Sequence, residues 1–174
     1  LAGVRGRLEQ VAWVRRVEAR RVWPDRIEVR LEEHVALARW GQVVGDLRSQ
    51  RLVNTFGEVF EAASGAPLPV FSGPQDTAAD IALHYLAFRD ALAAIGRTPA
   101  EVRLSGRRAW QVRLDDGQLL ELGRHDVVRR LARFAQVYPR VAAQLRDTGS
   151  RIDLRYPNGF AVRVPGSRRA ERPA

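Results

Sequence analysis

The chain has 174 residues, 45% of them hydrophobic, enough for one ordinary globular domain and part of a second. Its net charge of +9 fits nucleic acid, anionic headgroups or an acidic protein partner without choosing among them, and all 29 basic residues are arginine, which points to coding bias more than to chemistry. The absence of cysteine excludes disulfides, thiolate zinc sites and cysteine nucleophiles.

No methionine occurs, so the sequence is expected to be a fragment of a longer chain. No apolar run approaches the roughly 18–20 residues that cross a bilayer, and the N-terminus does not read as a signal peptide. A segment upstream could hold either.

The first predicted elements are a short helix over Arg5 to Ala12, a strand Val14 to Val22, a Trp23-Pro24-Asp25 turn and a strand Arg26 to Glu33. Pro24 fixes φ and removes a donor, which punctuates the two strands. Ile27, Val29 and Leu31 alternate with Glu28, Arg30 and Glu32, the pattern of a half-buried strand. So short a stretch cannot bury a core by itself. It reads as the back half of a small α/β domain.

From His34 the pattern changes to short strands over Val35 to Trp40, Arg51 to Asn54 and Glu58 to Phe60, with a turn at Phe56-Gly57. The stretch Ala62 to Pro74, rich in glycine and proline, reads as a surface loop. A helix follows, with Asp76 or Thr77 able to cap it. Ala78, Ile81, Tyr85, Phe88, Leu92 and Ile95 form its inward stripe, and Gly96 ends it. Strands are then predicted near Ala100 to Leu104, Ala109 to Leu114 and Gln118 to Leu122, the last two joined by an Asp115-Asp116-Gly117 hairpin turn.

A second helix is expected from about Asp126 to Arg146, kinked or split by Pro139. Val127, Leu131, Phe134, Ala135 and Tyr138 face inward, and Arg129, Arg130, Arg133 and Arg140 outward. The last alternating runs, Arg151 to Tyr156 and Phe160 to Val164, meet at Pro157-Asn158-Gly159 and read as a hairpin whose second arm closes the domain. Such a strand often lies at a sheet edge, where unpaired main-chain groups accept a strand from another chain. The tail from Pro165 to Ala174 reads as disordered.

Catalytic patterns are absent. His34, His84 and His125 lack metal-ligand spacing, and no serine-elbow, phosphate-loop or dinucleotide motif occurs. Asp115 and Asp116 serve their turn. No enzyme activity, metal or cofactor is expected, which leaves recognition as the function. One alternative is a basic nucleic-acid-binding domain, resting on Arg129, Arg130 and Arg133 along one helix and on Arg15, Arg16, Arg20 and Arg21 in one strand. Glu18, Asp25, Glu28, Glu32 and Glu33 interrupt the second cluster, and no nucleic-acid-binding motif accompanies the charge.

An ordered set of landmarks resembles the bacterial FtsQ/DivIB family, in its proteobacterial form. They are Trp13-Val14-Arg15-Arg16-Val17, Val22-Trp23-Pro24-Asp25, Glu32-Glu33-His34, Ala38-Arg39-Trp40 and Arg107-Arg108-Ala109-Trp110, followed by Leu122-Gly123-Arg124-His125-Asp126, Arg130-Leu131-Ala132-Arg133-Phe134, Tyr138-Pro139 and Asp153-Leu154-Arg155-Tyr156 with Gly159. The resemblance implies an α+β fold: the C-terminal half of a POTRA domain over residues 1–33, then a mostly antiparallel β domain with two helices over residues 34–164.

It further implies a non-enzymatic division scaffold, anchored in the inner membrane by one helix, with this region periplasmic and at the septum. FtsB and FtsL would bind the β domain, FtsB by adding a strand to its last strand. FtsK would act in recruitment. By position, the docking residues correspond to Arg107, Arg155, Tyr156, Asn158, Gly159 and Phe160. Those implicated in recruitment on the POTRA strand correspond to Arg16, Ala19 and Arg21. Two departures stand out: Val164 replaces a tryptophan of the family pattern, and Pro157 removes a main-chain donor from the expected edge.

Overall fold

A computed structural model describes residues 2–41, 50–142, 150–157 and 159–163. Asn158, Val164, the tail from Pro165 and the expected helical turn beyond residue 142 lie outside the described residues. The fold is α+β. A short helix α1 (Ala2–Leu8) leads into a two-stranded antiparallel sheet of β1 (Val14–Val22) and β2 (Arg26–Glu33). Both strands have the bounds expected from their alternation, while α1 begins and ends earlier than predicted.

The apolar face of β2 is not half-buried as expected. Ile27, Val29 and Leu31 are 51%, 42% and 47% exposed. They stand opposite Arg21, Ala19 and Val17 on β1, and of that face only Val17 is buried, on the strand against which α1 lies. Among the described helices α1 packs on this ribbon, and it lies against β1 rather than over the apolar face of β2.

The remaining strands form one nine-stranded sheet. In chain order they are β3 (Ala36–Trp40), β4 (Gln50–Asn54), β5 (Val59–Ala62), β6 (Val70–Ser72), β7 (Pro99–Leu104), β8 (Trp110–Leu114), β9 (Leu119–Gly123), β10 (Arg151–Asp153) and β11 (Ala161–Arg163). In space the order is β11-β10-β9-β8-β7-β6-β3-β4-β5. Most neighbours are antiparallel, whereas β10 on β9 and β6 on both β3 and β7 are parallel.

Strand β6 corrects the loop expected over Ala62 to Pro74. Its three residues sit in the middle of the sheet, and Phe71 is fully buried there. Two helices, α2 (Ala78–Ala93) and α3 (Val127–Val141), lie against each other, with α2 on β7 and α3 on β9. Ile81, Phe88, Leu92, Leu131 and Phe134 from their inward stripes meet Val102, Leu104, Val112, Leu120, Leu122, Ile152 and Leu154 from the strands in one core.

Local chemistry departs from expectation in two places. Thr77 precedes α2 but does not cap it, since its hydroxyl donates to the Pro74 carbonyl at 2.6 Å. Helix α3 is not split at Pro139, which lies inside its last turn. The end of α2 behaves as read: Gly96 has φ +66, and the Gly96 and Arg97 N–H groups return to the Ala93 and Leu92 carbonyls. Among the described residues no helix is long and apolar enough to cross a membrane.

Candidate docking edge

Strand β11 is one edge of the nine-stranded sheet, and all three of its residues are exposed. Its arms do pair, through Arg151 with Arg163, Ile152 with Val162 and Asp153 with Ala161. The pairing stops at Asp153 and Ala161, so residues 154–157 and 159–160 of the connection belong to neither strand, and Asn158 of the expected turn lies outside the described residues. Pro157 therefore lies in that connection and takes no donor from the edge strand, contrary to expectation.

The strand pattern stops for a local reason. The Leu154 N–H still bonds to the Glu121 carbonyl of β9 at 2.9 Å. The next N–H, of Arg155, turns to the Asp153 carboxylate at 3.0 Å, as short polar side chains do at turns. The alternation that would have sent Tyr156 into the core ends there. Tyr156 is 53% exposed, while Ile152 and Leu154 are buried.

The Arg155 guanidinium also lies on Asp153, its Nε donating to Oδ1 at 2.8 Å and its Nη2 to Oδ2 at 2.6 Å. Arg155 holds the Asp153 carboxyl below the ordinary carboxylate range, chiefly by this side-chain hydrogen bonding. Behind them Glu121, 9% exposed, pairs with Arg151, lies 3.7 Å from Arg155 and accepts from Gln111 at 3.3 Å. Arg155 thus arrives at the surface already partnered.

Helix α3 holds the connection from behind. Arg133 donates to the Tyr156 carbonyl at 2.7 Å and also to the Pro157 carbonyl. Phe160 is half-buried and packs edge-on against Phe134, with ring centroids 5.8 Å apart. It anchors the loop to the domain and leaves Tyr156 as the exposed aromatic. One turn earlier, Arg130 donates to the Leu122 carbonyl at 2.6 Å. Gly123, with φ +77, makes that approach possible, because a side chain there would meet Arg130 and Arg155.

Arg107 sits in the exposed turn between β7 and β8 and pairs with no described carboxylate. Its neighbours fix the turn. The Arg108 N–H donates to the Ser105 carbonyl at 2.8 Å, and the Arg108 guanidinium lies 3.4 Å from Asp80 on α2. Strand β8 begins where β9 ends, Trp110 opposite Gly123, and β10 runs parallel to β9. Arg107, Arg155, Tyr156, Gly159 and Phe160 therefore share one end of the sheet.

Arg16, Ala19 and Arg21 do not join them. They lie on β1, where Ala19 and Arg21 share the face of Val17 and Arg16 takes the opposite one. The basic cluster of that strand is internally paired: Arg15 with Glu32 and Glu58, Arg16 with Glu18, and Arg20 with Glu28. On α3, Arg130 and Arg133 serve carbonyls. The two clusters behind the nucleic-acid alternative are thus largely engaged within the chain.

Sequence reasoning missed Arg133, Glu121 and Asp153 as supports of the edge. The available signal was the Arg130 and Arg133 spacing flanking inward Leu131 and Phe134, which places both guanidiniums beside the buried stripe. Among the described residues no group of three histidines or carboxylates could hold a metal ion.

A family model described as cell division protein FtsQ/DivIB, C-terminal, matches residues 38–155, and one described as POTRA domain, FtsQ-type, matches residues 1–34. The cell division protein FtsQ of Nitrosospira multiformis is 41% identical over 163 residues, covering 94% of this chain and 66% of the relative. That of Burkholderia pseudomallei is 40% identical over 92% of this chain and 64% of its own length. That of Escherichia coli K12 is 35% identical over 88% and 56%. The chain thus spans between 56% and 66% of the length of these three relatives. The nucleic-acid alternative draws no support from these matches.

Proposed function

The chain belongs to the FtsQ/DivIB family of cell-division proteins, and from that membership we propose that it works as a divisome scaffold, docking FtsB, and through it FtsL, on the β11 edge. FtsB would add a strand to β11, its main chain supplying affinity and its side chains meeting Tyr156 and the arginines. The observation that carries this reading is an exposed aromatic, Tyr156, beside an edge strand whose three residues are all exposed. Buried-pocket chemistry is not needed for it.

The residues divide by task in this reading. Tyr156 is the anchor, of the kind enriched at interface hot spots. Arg107, with no described carboxylate beside it, meets an acidic partner side chain; Arg155 shares one while keeping Asp153. Gly159 lets the partner's main chain approach, and Asn158 keeps the same assignment. Phe160 contributes by anchoring the loop. Residues 1–33 form the end of a POTRA domain whose β1, through Arg16, Ala19 and Arg21, takes part in recruitment with FtsK, and residues 34–164 form the β domain. The whole protein is a non-enzymatic, single-pass inner-membrane protein with this region in the periplasm at the septum.

Calorimetry with a purified periplasmic FtsB segment tests the docking site. Tyr156→Ala is expected to weaken binding by about 30-fold, the size of a typical hot-spot loss. Phe160→Ala is expected to weaken it less and to lower Tm as well. Unchanged affinity in both folded variants would remove the assignment and leave family membership standing.

A further inference from the structure

We infer that Arg133 is a positioning residue for partner docking, a two-pronged clamp on α3 that fixes the main chain beneath Tyr156; the inference rests on the docking reading above. Beyond Leu154 the connection has left the sheet, and the Arg155 N–H has turned to its own neighbour, Asp153. The Tyr156 and Pro157 carbonyls therefore have no strand to pair with. Arg133 takes both.

Two consecutive carbonyls held by one planar guanidinium fix the peptide plane between them, and with it the direction in which the Tyr156 ring leaves the backbone. Only the arginine fork presents two donors in a rigid plane; a lysine ammonium is a point charge on a flexible stem. The clamp is itself rigid. Arg133 stands between Leu131 and Phe134, both buried in the core, and Phe134 carries Phe160 at the other end of the loop. The same helix holds the end of β9 through Arg130 and the Leu122 carbonyl. One helix thus sets the Tyr156 backbone, the Phe160 ring and the strand next to β10 in a single frame, so the partner meets a Tyr156 and a Phe160 that are already held in place.

Arg133→Ala and Arg133→Lys in the 1–174 chain, measured beside Tyr156→Ala, test this with the FtsB segment as probe. Both Arg133 variants are expected to keep Tm within a degree or two, to lose about tenfold in affinity, and to exchange the Tyr156 and Phe160 amides faster in the free protein. A role confined to stability would move Tm and leave the amide exchange of the loop in step with the rest of the domain. Full affinity in Arg133→Lys with loss in Arg133→Ala would make the residue a charge contact and overturn the inference. Loss in Tyr156→Ala with none in Arg133→Ala would overturn it alone. Unchanged binding in Tyr156→Ala would overturn the docking reading and this inference together.

Discussion

The two edges of the nine-stranded sheet are managed in opposite ways. At the β5 edge Phe60 is nearly buried, stacked on His34 with centroids 4.1 Å apart and met by Trp13 at 5.4 Å. The adjoining turn is locked: Asn54 Oδ1 accepts the Phe56 and Glu58 N–H groups, and Arg15 reaches across from β1 to the Glu58 carboxylate at 2.7 Å. The β11 edge is held from behind by Phe160 and the Arg133 clamp, with Asp153 and Glu121 beside them, and among the described residues no strand pairs with its outer side. An unpaired edge invites stray pairing unless it is covered or put to use. The difference teaches that ordering an edge and covering it are separate tasks, since β11 is ordered from behind while none of the described residues covers its outer side.

The largest test of this contrast is Phe60→Ala, which strips the covered edge of its packing. A loss of about 3–5 kcal/mol in urea unfolding is expected for a buried phenylalanine, together with a red shift of Trp13 emission. Binding of the FtsB segment should stay within about twofold at denaturant-free conditions, and a large loss would mean that the edges are coupled. Next comes Gly123→Ala, behind the open edge. With φ +77 and Arg130 and Arg155 within 3.1 Å of the added carbon, it should cost about 1–2 kcal/mol and weaken docking while leaving the Trp13 environment unchanged.

The smallest effect is expected for Glu58→Gln, read as a few degrees of Tm at pH 7. Hydrogen bonds from Arg15 and Asn54 lower the Glu58 carboxyl from an ordinary 4.5 to about 2. Because its folded value lies below its unfolded one, its stabilisation is complete above about 4.5 and is lost as pH falls towards 2. The Tm difference between wild type and Glu58→Gln should therefore shrink through that window. A difference that stayed constant would place the contribution of Glu58 in its packing instead of its charge.

Much of this was legible in local pattern. The bounds of β1 and β2, the inward stripe of α3 and the Asp115-Asp116-Gly117 turn follow from alternation, helical period and turn chemistry. Strand β6 was not, because three residues between Pro69 and Gly73 carry too little periodicity, and its parallel pairing with β3 and β7 is made by distant chain segments. The β11 end was legible as a sheet edge, yet the alternation through Ile152 and Leu154 put Tyr156 on their inward face. What overrides this is one hydrogen bond from the Arg155 N–H to Asp153. Arg133 was read as a solvated charge because helical period locates a Cβ and not the far end of a long side chain. The half-burial expected of β2 failed since alternation reports which face is apolar, not whether anything lies on it.

The pairing order carries a consequence for biosynthesis. Among the described strands β11 has β10 alone beside it, and β10 joins the sheet by lying parallel to β9 after the chain has passed through α3. An emerging chain can assemble β3 to β9 and both helices and still have no β11 edge. Among the described strands the β11 edge is therefore the last to be completed, and a chain stopped before it presents β9 as its edge instead, a different main-chain surface from the one the finished sheet displays.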